Sequence, residues 1–173
     1  MTETVWKFLY QNVPDFRMKF PLLESPKAIT EKDISDLLES VATGKPFRSN
    51  LIAVYREVGP RIQRELYDLC KLRRDRSAKI MSGVVYGVLK RVHQKTGNRK
   101  LTLGLQGKVM LGLYGYKKEF LAMLSKIHNL DNNRSDNKDS FEIQTVESGV
   151  TSNLLGAVAI SKYIWLSGLM KRI

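Results

Sequence analysis

Trp6, Leu9, Tyr10 and Val13 recur at helical spacing and stop at Pro14, whose ring disfavours helix at the residue before it. This predicts a first helix that begins near Thr2. Pro14, Pro21 and Pro26 then interrupt any period, so 14 to 29 reads as an extended connector. Thr30-Glu31-Lys32-Asp33 has the form of a capping box with Asp in place of Glu or Gln, and Ile34, Leu37, Leu38 and Val41 make one apolar stripe behind it. Gly44 is the natural stop. Ser49 or Asn50 can cap a third helix with Leu51, Val54, Tyr55 and Val58 on one side, and Gly59-Pro60 restarts the pattern with proline as a first helical residue.

From 60 to about 95 no proline intervenes, which predicts one long helix or two stacked ones, ended by Thr96-Gly97-Asn98. At ~100° per residue with Ile80 at zero, Val84, Val88, Met81, Val92, Val85 and Leu89 span about 40° to 180°. Ser82, His93, Tyr86, Lys79, Lys90 and Gly83 fill about 200° to 300°. The first arc is expected to face the core and the second to face solvent. Residues 101 to 116, LTLGLQGKVMLGLYGY, alternate like a strand at Leu101, Leu103 and Leu105, yet Gly104, Lys108, Leu111 and Gly115 share one helical face. We read the segment as a glycine-faced helix packed closely on a neighbour.

Residues 117 to 128 give a clearer helix with Phe120, Leu121, Leu124 and Ile127 inward. NLDNNRSDNKDS, 129 to 140, is expected to be an exposed mobile loop, and 141 to 147 a short strand or arm. Ser152 or Asn153 then caps a last helix to about Lys171 that is apolar on nearly all sides. Lys162 near its middle argues against a membrane span and for a core helix or a homo-oligomer contact. The expected architecture is mainly α: a single compact domain over 1–173, with a neutral helical region over 1–70, a basic helical region over 71–128, and the loop and C-terminal helix over 129–173.

Charge sharpens this picture because it is uneven. The net +12 comes entirely from residues 71 to 128, where fourteen Lys and Arg face only Asp75 and Glu119; the flanking regions are neutral. Solvated faces normally mix signs, so a local excess of one sign points to an anionic partner. The candidate contacts are Arg73, Arg74, Arg76, Lys79, Tyr86, Lys90, Arg91, Lys95, Arg99, Lys100 and Lys108. Lys79 and Lys90 flank Tyr86 on the expected solvent arc, a combination suited to phosphates and stacked bases, with Tyr114 and Tyr116 as further stackers. Sequence-tolerant binding of nucleic acid, RNA or another single strand above all, is the first expectation.

A matrix-like scaffold on anionic membrane surfaces or nucleoprotein, and an adaptor for an acidic protein, are the alternatives. A membrane binder places large apolar side chains beside its basic face, and the expected solvent arc offers only Tyr86. Small size, basicity and an apolar terminal helix are also what a viral capsid or matrix protein shows, an analogy of composition alone.

Catalytic chemistry finds little support. One Cys and two separated His, His93 and His128, offer no metal cluster. Gly104, Gly107 and Lys108 lack the phosphate-loop spacing, and Val109 stands where Ser or Thr is needed. Cys70 reads as a buried structural thiol, and the acid pairs Asp33/Asp36 and Glu65/Asp68 as solvated helix faces. A non-enzymatic protein is expected, with no cofactor and no small-molecule substrate. With no basic-then-apolar leader, an intracellular location, cytoplasmic or nuclear, or a place in a virion is expected.

Overall fold

The computed structural model describes residues 1–133 and 141–147, which form a mainly α-helical protein. The end of the polar loop and the apolar last helix expected from the sequence lie outside the described residues.

Helix α1 (Thr2–Asn12) buries Val5 and Leu9 and stops ahead of Pro14. The following connector is not extended. Asp15 takes the left-handed conformation, with φ 55°, and turns the chain into a short helix α2 (Phe16–Lys19), followed by 3-10 turns at Pro21–Leu23 and Pro26–Ala28. Each proline opens a turn, where its missing N–H is no loss. Burial of Phe16, Phe20, Leu23 and Ile29 holds the turns inward, and Trp6 Nε1 donates to Leu23 O at 2.8 Å.

The capping box of α3 (Glu31–Thr43) is formed: Asp33 N donates to Thr30 Oγ1 at 3.2 Å, and Thr30 N to Asp33 Oδ2 at 2.8 Å. Ile34, Leu37 and Leu38 are buried, whereas Val41 is exposed. Asp36 is not a solvated acid; it is buried and paired with Lys32 at 2.7 Å. Gly44, φ 73°, ends α3, and Ser49 caps α4 (Asn50–Glu57).

Helix α5 (Pro60–Thr96) is one uninterrupted helix of 37 residues, with Pro60 in its first turn and Gly97, φ 68°, closing it. It is about 55 Å long at 1.5 Å per residue. Strand β1 (Lys100–Leu105), helix α6 (Lys108–Gly112), helix α7 (Tyr116–Asn132) and strand β2 (Glu142–Glu147) follow. β1 and β2 pair in parallel, from Lys100 opposite Glu142 to Leu105 opposite Glu147, with α7 in the crossover that parallel strands require. α7 packs along α5 in the same direction, with Tyr116 beside Ser77, Phe120 beside Ser82 and Asp131 beside Tyr86. Its helix continues to Asn132, so the expected loop does not begin at residue 129.

Two further expectations are overturned. In 101 to 116 the alternation prevails over the glycine face: Leu101 and Leu105 are buried and Thr102 and Gly104 exposed, because β2 supplies the backbone partners. The arcs of α5 are also exchanged. Ser82, Tyr86 and His93 are buried, while Ile80 (59% exposed), Val84 (59%) and Val88 (58%) face solvent together with Met81 and Val92. The buried side of α5 is Leu66, Cys70, Arg74, Ala78, Ser82 and Tyr86, every fourth residue, followed by Leu89 and His93. Each step of four passes a full turn by about 40°, so this line winds about 200° around the helix between Leu66 and Tyr86. The first half of α5 thereby faces α1, α3 and α4, and the second half faces α7.

Phe120, fully buried in the α5–α7 seam, is expected to cost about 3–5 kcal/mol of stability on replacement by Ala. Gly115→Ala is expected to cost more than about 1 kcal/mol. At φ +75° its Cβ would stand 2.6 Å from Arg74 Nη1. Urea unfolding checks both, and a Gly115→Ala protein as stable as wild type contradicts this packing.

Candidate functional site on the solvent face of α5

The polar residues on the winding line are satisfied internally. The Arg74 guanidinium lies against Gly115, pairs with Asp75 at 2.7 Å and donates Nη1 to Tyr114 O at 3.1 Å. Ser82 Oγ shares its proton between Ala78 O at 2.7 Å and Phe120 O at 2.8 Å. Tyr86 Oη donates to Asp131 Oδ2 at 2.6 Å, and Lys90 Nζ reaches both carboxylate oxygens at 2.7 and 2.8 Å. The Lys90 hydrogen bond, then that of Tyr86, holds the Asp131 carboxyl below the ordinary aspartate range. Burial, then the bond to Asp131, pushes the Tyr86 hydroxyl up.

Phe141 closes the far end of this seam. Its ring stacks on His93, centroids 4.9 Å apart, and on Tyr86 at 6.0 Å, with the His128 edge at 5.1 Å. His93 Nδ1 donates to Asn98 O at 2.7 Å, which fixes the turn from α5 into β1, and His128 Nε2 donates to Phe141 O at 2.6 Å, which ties the entry of β2 to α7.

These contacts divide the eleven sequence candidates. Arg74, Tyr86 and Lys90 serve the interior: Tyr86 is 6% exposed and offers no ring to a base, and Tyr116 is likewise buried. Lys100 is exposed and lies 3.7 Å from Glu142. Arg73, Arg76, Lys79, Arg91, Lys95, Arg99 and Lys108 are exposed, and none pairs with an acid among the described residues. The structure brings four of these seven onto one face. With Ile80 at zero, Arg73 and Arg91 fall at about 20°, Lys95 at about 60° and Arg76 at about 320°. Val84, Val88, Met81 and Val92 occupy about 40° to 120° between them. A basic–apolar–basic band results, about 28 Å long from Arg76 to Lys95 at 1.5 Å per residue.

The band has relief as well as charge. Near its first end Met1, Ile80, Met81 and Val84 line a groove of about 400 Å³ with Arg73 and Arg76 at its border. Gly83 and Gly87, one turn apart on its flank, have open space above them.

Sequence reasoning missed the five apolar residues of this band as surface and Asp131 as the partner of Tyr86 and Lys90. The first signal was available in the line of every-fourth residues, where Ala78 and Ser82 are small enough for a close helix contact. The second was not, since Asp131 lies 41 residues from Lys90.

Burial pushes the Cys70 thiol up to about 12, which keeps it protonated and inert at neutral pH. No group of three or more His, Cys, Asp and Glu among the described residues could hold a metal ion, and no described helix is long and apolar enough to cross a membrane.

Asp131→Ala is expected to lower stability by about 1–3 kcal/mol, because the Tyr86 hydroxyl loses its acceptor and Lys90 its counter-ion. A carboxyl held below its ordinary pKa stabilises fully at neutral pH and loses that contribution as the pH falls through and below the ordinary aspartate range. The gap between wild type and variant should therefore narrow in acid, as followed by urea unfolding at several pH values. A gap that widens in acid contradicts the assignment.

Among known proteins nothing matches the chain: no family model fits it, and no curated protein and no solved structure is similar to it.

Proposed function

We propose that this protein is a non-enzymatic, matrix-like scaffold that lies on anionic membrane surfaces through the solvent face of α5. One observation carries the reading: Ile80, Met81, Val84, Val88 and Val92 are exposed side by side between cations at both ends of the same face that pair with no acid among the described residues. Interfacial helices use this combination. Their apolar side chains enter the headgroup and acyl boundary by about 5–10 Å while Lys and Arg remain with the lipid phosphates. The nucleic-acid expectation rests on clustered Lys and Arg, on a solvent arc without large apolar residues and on Tyr86, Tyr114 and Tyr116 as stackers; the clustered cations remain, whereas Tyr86 and Tyr116 are buried and this face carries five apolar residues.

Nucleic acid remains the second reading, favoured by cations away from the band: Lys118 and Lys126 exposed on α7 and Lys108 at the start of α6. Those positions give phosphates a wider footprint than a flat bilayer would touch.

Co-sedimentation with phosphatidylserine-containing and pure phosphatidylcholine vesicles, beside titration of single-stranded RNA and duplex DNA, separates the readings. Binding to the anionic vesicles alone is expected, weakening with salt. Arg73→Ala and Lys95→Ala should each weaken it roughly fivefold, from about 1 kcal/mol per basic residue near the surface. The double variant Val84→Asp/Val88→Asp should lose it while its circular dichroism stays helical. Binding to RNA or DNA with a steep salt dependence, and none to vesicles, sinks the membrane reading in favour of the second.

A further inference from the structure

The groove at the first end of the band is polar where Arg73, Arg76 and Ser77 border it and apolar along Ile80, Met81 and Val84. We propose that it holds one molecule of a phosphomonoester lipid, phosphatidic acid, with the phosphate between the two arginines and an acyl chain along the apolar row. This site deepens the membrane reading and rests on it for the bilayer that presents the lipid; the groove itself stands on its own residues.

Among the described residues no acid lines the groove, and the one acid of that helical turn, Asp75, is held by Arg74 at 2.7 Å. Arg73 and Arg76, three residues apart, are neighbours on the helix surface. With Ile80 at zero they fall at about 20° and 320°. Two guanidiniums so placed oppose one another, and an anion between them removes the conflict. Each planar fork can give two parallel hydrogen bonds to one phosphate.

Ser77 adds a hydroxyl on the same side, at about 60° and one turn beyond Arg73. Ser82 Oγ donates to the carbonyl four residues before it, whereas Ser77 Oγ meets only the Tyr116 hydroxyl, at 3.4 Å, among the described residues. Tyr116 is 3% exposed, and a buried phenol needs an acceptor for its proton. Ser77 accepts that proton and keeps its own for the groove. Two guanidiniums and a hydroxyl thus surround one position. A phosphomonoester matches them with three terminal oxygens and about −1.5 to −2 charges at neutral pH, whereas a phosphodiester has one such oxygen fewer and a single charge.

Spacing selects the lipid. Ile80 lies one turn beyond Arg76, about 6 Å along the axis, and between the two arginines in angle. The apolar wall therefore begins where the phosphate ends, which suits a phosphate carried directly on acylated glycerol. A phosphomonoester on the far side of a sugar headgroup would press the sugar hydroxyls against Ile80 and Val84. The groove, about 400 Å³, is large enough for a small-ligand site. Beyond it Val84 to Val92 continues for about 12 Å, and Gly83 and Gly87 leave open space along the flank, so an acyl chain can lie close against the helix.

Full-length protein is tested by co-sedimentation with vesicles of phosphatidic acid or of phosphatidylserine in phosphatidylcholine, matched in surface charge. The phosphatidic acid vesicles are expected to bind roughly tenfold more tightly, the worth of one added charge-assisted hydrogen bond. Arg73→Lys/Arg76→Lys keeps the charge and removes the forks, and should bring the ratio of the two affinities close to one. Ser77→Ala should lower that ratio, while Arg91→Lys, at the other end of the band, should leave it at the wild-type value. Equal binding of both vesicles by wild type, or a ratio untouched by the double lysine variant, overturns the lipid site and leaves the membrane reading standing.

Calorimetry with dihexanoyl phosphatidic acid below its micelle concentration separates the groove from the bilayer. Binding of this lipid, with glycerol 3-phosphate much weaker, supports the site; if neither vesicle binds in that case, the membrane reading alone falls. Glycerol 3-phosphate bound as tightly as the short-chain lipid overturns the lipid in favour of a free phosphate.

Discussion

The structure depends on the line of every-fourth residues that winds around α5. Helices have 3.6 residues per turn, so a contact row at spacing four cannot stay on one side of a helix as long as this one. Over 37 residues the rotation is large enough for α5 to serve two neighbours on different sides: Leu66 and Cys70 meet the N-terminal helices, and Ser82, Tyr86 and His93 meet α7 and the start of β2. The same rotation leaves the outer side of the second half to solvent. The exposed apolar band is therefore not an accident of one substitution; it follows from where the contact row has turned by residue 80.

The two ends of this row differ in chemistry. Near Leu66 and Cys70 the contact is apolar and tolerant, whereas from Arg74 onwards nearly every turn brings a polar atom into the interior. Burying such groups is favourable only when they are paired, and a missing partner costs about 1–3 kcal/mol. Here each side chain has a partner on a defined residue of the second half: Arg74 on Tyr114, Ser82 on Phe120, Tyr86 on Asp131, His93 on Asn98. Sliding α7 by one residue would break several of these at once. The seam thus fixes the register of α7, and through the crossover the register of β1 on β2.

Local signals were legible in the sequence and long-range ones were not. Pro14, the Thr30–Asp33 box, Gly44, Ser49, Pro60 and Gly97 act within a few residues of themselves, and each stands where the sequence places an element boundary. The glycine-rich stretch forms a strand that its own residues do not announce, because a strand needs a partner for its backbone, and β2 lies about 40 residues downstream. The faces of α5 depart from the helical wheel because a wheel assumes one buried side per helix. Val84 and Val88 look like core residues and Ser82 and Tyr86 like surface residues only if composition decides orientation; packing against Phe120 and Asp131 decides it instead. Among the candidate contacts, Arg73, Arg76, Arg91 and Lys95 were identified by charge alone. Charge could not separate them from Arg74 and Lys90, which turn inward to fixed acceptors.

Removing the inward cations from the count changes what the remaining ones can do. A surface of lysines and arginines alone asks only for phosphate, and duplex, single strand and lipid headgroup satisfy it alike. A surface on which the cations stand at the two ends of a row of valine, isoleucine and methionine asks for two things at fixed separation, negative charge and a place for hydrocarbon. Nucleic acid backbones supply the first, and their bases stack on aromatic rings, which this face lacks. An anionic bilayer supplies both across any length.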